Sequence, residues 1–125
     1  MSKYANPGEM RVPIIIEERK ERISPSGGQD RSWENIFGEG KTIRAKWTNA
    51  HGTDVFQAMS VELREPATLR LRYSPRITKT CRILKASDAE KPERERLYYE
   101  VISLDDIEER HMQLEIKIQR WGGAK

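Results

Sequence analysis

The chain has 125 residues, 36% hydrophobic and 34% charged, which fits a single domain with a modest core and a heavily charged surface. Its 23 Lys and Arg residues against 20 Asp and Glu residues give a net charge of +3, a mild excess that argues against a dedicated nucleic-acid binder. One cysteine excludes an internal disulfide, and with two histidines it cannot provide four Cys or His ligands for zinc. Residues 1–9 lack the apolar core of a signal peptide, and no apolar run could span a membrane. These features predict a soluble cytoplasmic protein with no membrane partner.

The N-terminal region combines a polar tail with a strand. Residues 1–10 contain Pro7 and Gly8 and few apolar side chains, which predicts a flexible tail. Residues 11–22 begin with alternating apolar side chains and then become wholly charged. This pattern predicts a strand over the first half that continues into solvent or against a partner. Pro13 favours an edge position, because proline cannot donate a hydrogen bond to a neighbouring strand.

The middle of the chain alternates between polar loops and apolar segments. Composition predicts a loop over residues 24–30 and a small apolar anchor over residues 32–37. A second strand is predicted at residues 42–49. Apolar residues at helical spacing then predict one short helix over about residues 54–64, which Pro66 ends.

The rest of the chain is predicted to be mainly β. The pattern of apolar residues indicates further strands at residues 67–73, 81–86, 97–104 and 112–118. The charged residues 87–96 predict an exposed, mobile loop, and residues 121–125 a frayed end. Alternation with one wet face is typical of antiparallel sheets. We therefore predict a small six-stranded antiparallel barrel or sandwich with one short helix, as a single domain over residues 11–120.

No motif in the sequence predicts catalysis. Asp105 and Asp106 are adjacent, so on a strand they would point to opposite faces, and a solvated loop explains them better. His51 and His111 belong to no triad or zinc-protease pattern, and Cys81 alternates with apolar residues as a small buried thiol would. The sequence thus predicts a protein that is not an enzyme, with no catalytic, metal-binding or cofactor-binding residues.

Two segments, residues 43–47 and 69–73, alternate between apolar and basic side chains. Their outward positions carry four cations, Arg44, Lys46, Arg70 and Arg72. If the two strands are neighbours, these cations share one surface, close to Trp47 and Tyr73. Residue chemistry leaves three interpretations open: an oligonucleotide-binding surface, a solvated face balanced by nearby glutamates, or an interface that meets the acidic loop of a neighbouring copy.

The order of several motifs resembles the phage head-tail joining family, the head closure or head-tail adaptor proteins of long-tailed bacteriophages. In that family, a tryptophan in the first hairpin precedes an Ala-x-Trp/Val strand, and a Phe-centred helix leads into an Ile-Arg-Tyr strand. The matching residues, spread between positions 12 and 120, are Trp33, Ile43, Ala45, Lys46, Trp47, Phe56, Leu71, Arg72, Tyr73, Ile77, Arg82, Ile83, Tyr99, Glu100, Val101, Ile102 and Leu114.

The resemblance implies a structural β-barrel subunit without enzymatic activity. Such subunits form a ring beneath the portal and its adaptor after DNA packaging, close the exit channel and provide the platform for the tail. The implied partners are the portal or connector adaptor ring, tail proteins and further copies of the chain. Packaged DNA would pass through the channel without sequence-specific binding. The implied locations are the host cytoplasm during assembly and the head-tail interface of the virion.

Two long polar segments, residues 24–41 and 87–96, are the expected sites of contact with these partners. From the second segment, four charged residues join the basic strand residues as candidate interface positions, namely Glu90, Lys91, Glu93 and Arg94. We also expect Trp33, Trp47 and Tyr73 to be core residues rather than a platform for stacking bases. The alternative function is a small β-barrel module that binds nucleic acid.

Overall fold

The computed structural model describes residues 5–23, 29–49 and 65–121, and for residues 21–23 and 29–31 it describes the backbone alone. The described residues form seven strands, one four-residue helix and three short 3-10 turns. The strands are β1 Val12–Ile23, β2 Gln29–Asn35, β3 Ile43–Asn49, β4 Ala67–Arg72, β5 Arg82–Lys85, β6 Tyr99–Asp106 and β7 Gln113–Arg120. The helix is α1 Ala86–Ala89, and the 3-10 turns are Pro7–Glu9, Glu93–Glu95 and Ile107–Glu109. The helix predicted at residues 54–64 lies outside the described residues.

Six of these strands form a closed antiparallel barrel. The order around the barrel is β1, β3, β4, β7, β6 and β5, and β5 pairs with β1 to close the sheet. Every pairing between neighbours is antiparallel. The prediction of a mainly β, six-stranded antiparallel fold is confirmed, as a barrel, and β2 adds a seventh strand beside β1. No helix in the described segments is long and apolar enough to cross a membrane.

The core fills the inside of the barrel. Successive residues of a strand face opposite sides of the sheet, so the apolar residues of each alternating segment all point inward. Burying a Leu or Ile side chain completely contributes about 1.5–3 kcal/mol, so this set supplies much of the favourable free energy of folding. Its members include Ile14, Ile16, Ala45, Ala67, Leu69, Leu71, Ile83, Leu114, Ile116 and Ile118.

The second half of β1 leaves the barrel and forms a hairpin with β2. Their pairing runs from Glu17 opposite Asn35 to Ile23 opposite Gln29. The prediction of a loop over residues 24–30 was therefore wrong for its last two residues. The anchor predicted at residues 32–37 is largely part of a strand. Backbone hydrogen bonds to β1 order this segment, which does not need alternating apolar side chains because it lies beside the barrel rather than around its core.

Pro13 does not mark an edge strand, contrary to the prediction. Here β1 pairs with β3, with Pro13 opposite Arg44, and its pairing with β5 begins one residue later at Ile14. The proline thus stands near the start of β1, where a missing donor is tolerated.

The charged segment at residues 87–96 contains more regular structure than a loop. Its first residues belong to α1, and Glu93–Glu95 forms a 3-10 turn. Asp88 is buried and its carboxylate lies 3.0 Å from the Nζ of Lys91. This ion pair lies within the segment and links α1 to the residues that follow it, while Glu90 and Arg94 are exposed.

Candidate functional site

Strands β3 and β4 bring the four predicted basic residues onto one outward face. Lys46 lies opposite Arg70 in the antiparallel register, which confirms that the two strands are neighbours. The pairing of the two strands ends at Lys46 and Arg70, and Arg44 and Arg72 lie two residues beyond it on the same face. Directly opposed side chains on one face have Cβ atoms about 4.5–5.5 Å apart, and like charges there repel each other. Anionic groups are needed to offset this repulsion.

Two carboxylates neutralise the first of these two pairs. Glu9 lies 3.1 Å from the Nζ of Lys46, and Arg70 donates from Nε to Glu115 on β7 at 2.8 Å. The backbone N–H of Asn6 donates to the Glu9 carboxylate, and this hydrogen bond, together with Lys46, lowers the pKa of Glu9. The charges of Lys46 and Arg70 are therefore neutralised by carboxylates of the same chain.

Residues 5–10 cross the outer face of the barrel, and we call them the N-terminal strap. The backbone N–H of Ala5 donates to Oε1 of Gln113, and Nε2 of Gln113 donates to the carbonyl of Ala5, both at 2.9 Å. Ala5 and Met10 are each 7% exposed. The flexible tail predicted over residues 1–10 is thus an ordered segment from residue 5 onward. Its contacts with β3 and β7 carry it over β4.

A groove of about 460 Å³ lies between the strap and the rim of the barrel, and we call it the rim groove. Its two arginines, Arg44 and Arg72, are exposed. In the described part of the chain no carboxylate forms an ion pair with either of them. The groove is lined mainly by Pro7, Met10, Phe37, Ile43, Tyr73, Arg44 and Arg72.

The predicted interface residues fall at opposite ends of the barrel. Arg72 at the end of β4 is opposite Gln113 at the start of β7, and Asp106 at the end of β6 is opposite Leu114. The rim groove is at this end, which we call the groove end. Residues 90–94 connect β5 to the start of β6 at the other end, which we call the loop end. The structure therefore brings Arg44 and Arg72 together and keeps them apart from Glu90, Lys91, Glu93 and Arg94.

A buried arginine, which the sequence suggested only as one of the ordered family motifs, organises the aromatic residues outside the barrel. Arg82 is 4% exposed, and its guanidinium carbon lies 3.8 Å from the ring centroid of Tyr98 and 4.3 Å from that of Trp33. Its Nε donates to Glu17 at 2.7 Å, and Trp121 packs edge-on against Trp33 with centroids 5.2 Å apart. The cluster attaches β2 and the end of the chain to the barrel. Apart from the family resemblance, the one feature of the sequence that could have indicated this cluster was a basic residue, Arg82, in a short apolar strand.

The other two aromatic residues near the basic face pack against the core. Trp47 meets Tyr99 edge-on with centroids 5.0 Å apart, and its Nε1 donates to Asn49. Burial, followed by the charges of Glu65 and Asp88, raises the pKa of Tyr99. Tyr73 is partly buried against the core cluster. This placement agrees with the core role predicted for Trp47 and Tyr73, whereas the prediction was wrong for Trp33, which packs outside the core against Arg82 and Trp121.

Residues 5–120 match the model of the phage head completion protein family. The chain belongs to this family. The match confirms the resemblance found in the ordered motifs, and it makes the chain a structural protein of the phage virion with a role in head assembly.

The fold of this family member is also seen in a solved structure. The solution structure of protein SF1141 from Shigella flexneri 2a has a TM-score of 0.69 and 21% sequence identity, covering 96% of this chain and 100% of that chain. A chain of the virion of a native gene transfer agent particle has a TM-score of 0.44 and 14% identity, covering 90% of this chain and 98% of that chain. No curated protein matches the sequence.

His111 and Cys81, which the sequence raised as possible reactive residues, have structural surroundings in this family member. The carboxylate of Asp106 lies 2.6 Å from Nδ1 of His111. It also accepts a hydrogen bond from the backbone N–H of His111. Cys81 is buried, as predicted. Across residues 5–23, 29–49 and 65–121, no group of three His, Cys, Asp or Glu side chains is arranged to hold a metal ion. His51 lies outside these ranges.

Proposed function

We propose that the protein is a head closure subunit that forms a ring between the portal side of the head and the tail after DNA packaging. Membership of the head completion family supports a role at this stage of assembly. The observation that carries the finer proposal is the presence of two different charged surfaces at opposite ends of one closed barrel. A subunit stacked between two partners needs one contact surface for each of them.

The two ends differ in chemistry, which suits two different partners. The groove end offers apolar side chains and the guanidinium groups of Arg44 and Arg72. The loop end offers exposed residues of both signs, including Glu90 and Arg94. Complementary charges favour one docking partner over another and fix its register. We assign the loop end to one neighbouring ring and the groove end to the other.

Contacts between copies within the ring would come from a different surface. In a closed ring each subunit presents two unlike patches that meet head to tail. The hairpin of β1 and β2 continues past the pairing of β1 with β5, so it can reach a neighbouring copy. Residues 24–41, proposed from the sequence as a contact segment, include β2 of this hairpin.

The ion pairs of the basic face argue against a surface that reads bases. Glu9 and Glu115 hold Lys46 and Arg70, so these cations are not available to phosphates without breaking ion pairs. No observation favours the alternative of a nucleic-acid-binding module. If it were correct, single-stranded DNA at low salt would quench the tryptophan fluorescence, and the affinity would fall steeply with added salt.

The proposal is tested by complementation of a phage or prophage that lacks this gene. We expect DNA-filled heads and separate tails without the protein, and joined particles with a ring at the neck when it is supplied. Negative-stain images and particle counts measure the outcome. Joined particles in the absence of the protein, or purified necks that do not contain it, would show that the proposal is wrong.

A charge-reversed variant examines the loop end in the same assay. Glu90→Lys combined with Glu93→Lys should reduce joining, because both residues are exposed and make few contacts within the barrel. Glu109→Lys, which reverses one exposed charge at the groove end, tests the other proposed surface in the same assay. Normal joining by the double variant would remove the loop end from the interface.

A further inference from the structure

The rim groove has the composition of the centre of a protein interface. Such centres are enriched in aromatic residues, Met and Arg and depleted of Lys, Glu and Asp. Phe37, Tyr73 and Met10 provide apolar surface in the groove, and Arg44 and Arg72 provide the charge. The volume of about 460 Å³ is within the range of about 300–1,000 Å³ that is typical of ligand pockets. The groove can therefore hold more than one side chain.

The charge of the groove has no counterpart in the described chain. Lys46 and Arg70 are opposed across two strands, and Glu9 and Glu115 each neutralise one of them. Arg44 and Arg72 lie two residues further along these strands, but no ion pair among the described residues involves either. Two exposed guanidinium groups that line one groove next to an apolar surface favour an anionic occupant, because a carboxylate can accept two hydrogen bonds from a guanidinium group.

We infer that the rim groove binds a short segment of another virion protein in which apolar side chains alternate with Asp or Glu. The apolar side chains would fill the space beside Phe37 and Tyr73, and the carboxylates would accept hydrogen bonds from Arg44 and Arg72. The strap forms one wall of this site through Met10, so the Ala5–Gln113 hydrogen bonds hold the groove open to its occupant. This inference rests on the proposed function, which supplies the neighbouring protein.

The composition of the groove selects this occupant over two others. A nucleic acid would need exposed rings and a continuous row of cations, whereas Tyr73 packs against the core and the described residues place two cations, Arg44 and Arg72, along the groove. A second copy of the chain is a poorer fit. In the described ranges its one exposed large apolar side chain is Met112, which lies between His111 and Gln113 without an adjacent carboxylate. A different protein is therefore the favoured partner.

The inference is tested with a random library of twelve-residue peptides displayed on yeast and panned against the full chain. We expect the enriched peptides to combine apolar residues with Asp or Glu. A soluble copy of the consensus peptide should bind at least about tenfold more weakly to Arg44→Gln/Arg72→Gln than to the unchanged protein, because hydrogen bonds to charged groups are lost. Arg94→Gln, which removes an exposed arginine at the loop end, is the control and should bind normally.

Several results would overturn the inference. No enrichment, enrichment of neutral or basic peptides, or equal binding to the double variant would each do so. Displacement of the peptide by an equal concentration of a twelve-nucleotide thymidine oligomer would instead indicate a nucleic-acid site. The complementation assay separates the two proposals. If Arg44→Gln/Arg72→Gln restores joined particles as well as the unchanged protein, the groove inference fails while the proposed function stands.

Discussion

Ala5 and Gln113 are 108 positions apart in the chain and exchange two hydrogen bonds, both of 2.9 Å and both buried. Gln113→Leu removes both partners of the Ala5 backbone. We expect the free energy of unfolding to fall by about 1–3 kcal/mol, the cost of leaving a buried polar group without a hydrogen bond, unless the strap moves into solvent. Urea unfolding measures the loss, and amide hydrogen exchange of residues 5–10 should become faster.

The matched control for this variant is Gln119→Leu, which changes another outward-facing glutamine of β7. Gln119 donates to Glu100 rather than to the strap. Hydrogen exchange in residues 5–10 should therefore be the same as in the unchanged protein. Faster exchange in both variants would mean that β7 as a whole, and not the Gln113 amide, holds the strap.

The strap should also respond to acid through Glu9. The pKa of Glu9 is lowered in the folded protein, first by the Asn6 N–H and then by Lys46. A lowered pKa means that this contribution to stability is present above the ordinary glutamate pKa of about 4.3 and is lost as the pH falls through the folded value. NMR spectra of residues 5–10 should show local loosening below about pH 4. In Glu9→Gln the strap should already be looser at pH 7, and its pH dependence should be smaller.

Alkaline conditions should destabilise the fold through Tyr99. Burial raises the pKa of Tyr99, and the charges of Glu65 and Asp88 add to the effect. The contribution is fully present below about pH 10, the ordinary value, and decreases as the pH rises through the folded value. Tyr99→Phe should keep the edge-on contact with Trp47 while losing less stability above pH 10. Thermal unfolding from pH 7 to 11 would reveal this, and identical curves for both proteins would contradict it.

Arg82 and Glu17 form the most buried ion pair in the described segments, with side chains 5% and 18% exposed. Arg82→Met should cost about 3 kcal/mol, the low end for breaking a buried pair, because Glu17 keeps some contact with water. Adding Glu17→Met should recover much of this loss, since no unpaired carboxylate remains. Urea unfolding of both single variants and the double variant measures their coupling.

Glu18→Gln is the control for the Arg82 and Glu17 variants, because it removes one partner of an exposed ion pair. Glu18 pairs with Lys20 at 3.0 Å on an exposed stretch of β1. Exposed pairs contribute about 0–1 kcal/mol, so the variant should be nearly as stable as the unchanged protein. If Glu18→Gln and Arg82→Met cost the same, burial would not be what distinguishes the two pairs.

The six barrel strands were predictable because the interior of a small barrel must be filled with side chains. Leu114, Ile116 and Ile118 alternate with polar residues for this reason, and so do Leu69 and Leu71. In contrast, β2 carries few apolar side chains and pairs with the charged half of β1 through its backbone. A pattern of hydrophobic residues carries no signal for such a hairpin. The predicted helix at residues 54–64 lies outside the described residues.

The candidate site was only partly predictable. Alternation correctly placed Arg44, Lys46, Arg70 and Arg72 outward on neighbouring strands. Their division into a neutralised and an unneutralised pair depends on contacts with the strap and with β7, which are distant in sequence. The Gln113 amide illustrates the difficulty, because an outward glutamine on a strand has no sequence feature that identifies its partner.

The pairing of β1 with β5 has a consequence for biosynthesis. Ile16 lies opposite Ile83, so the ribosome adds 67 further residues before the partner of Ile16 on β5 exists. At about 5–20 residues per second this takes roughly 3–13 seconds, during which the edge of β1 that later pairs with β5 has no partner. Proline and charged residues beside an apolar strand reduce aggregation, and Pro13 on one side with Glu17 and Glu18 on the other flank the isoleucines. The charged half of β1 therefore protects the nascent chain until the barrel can close.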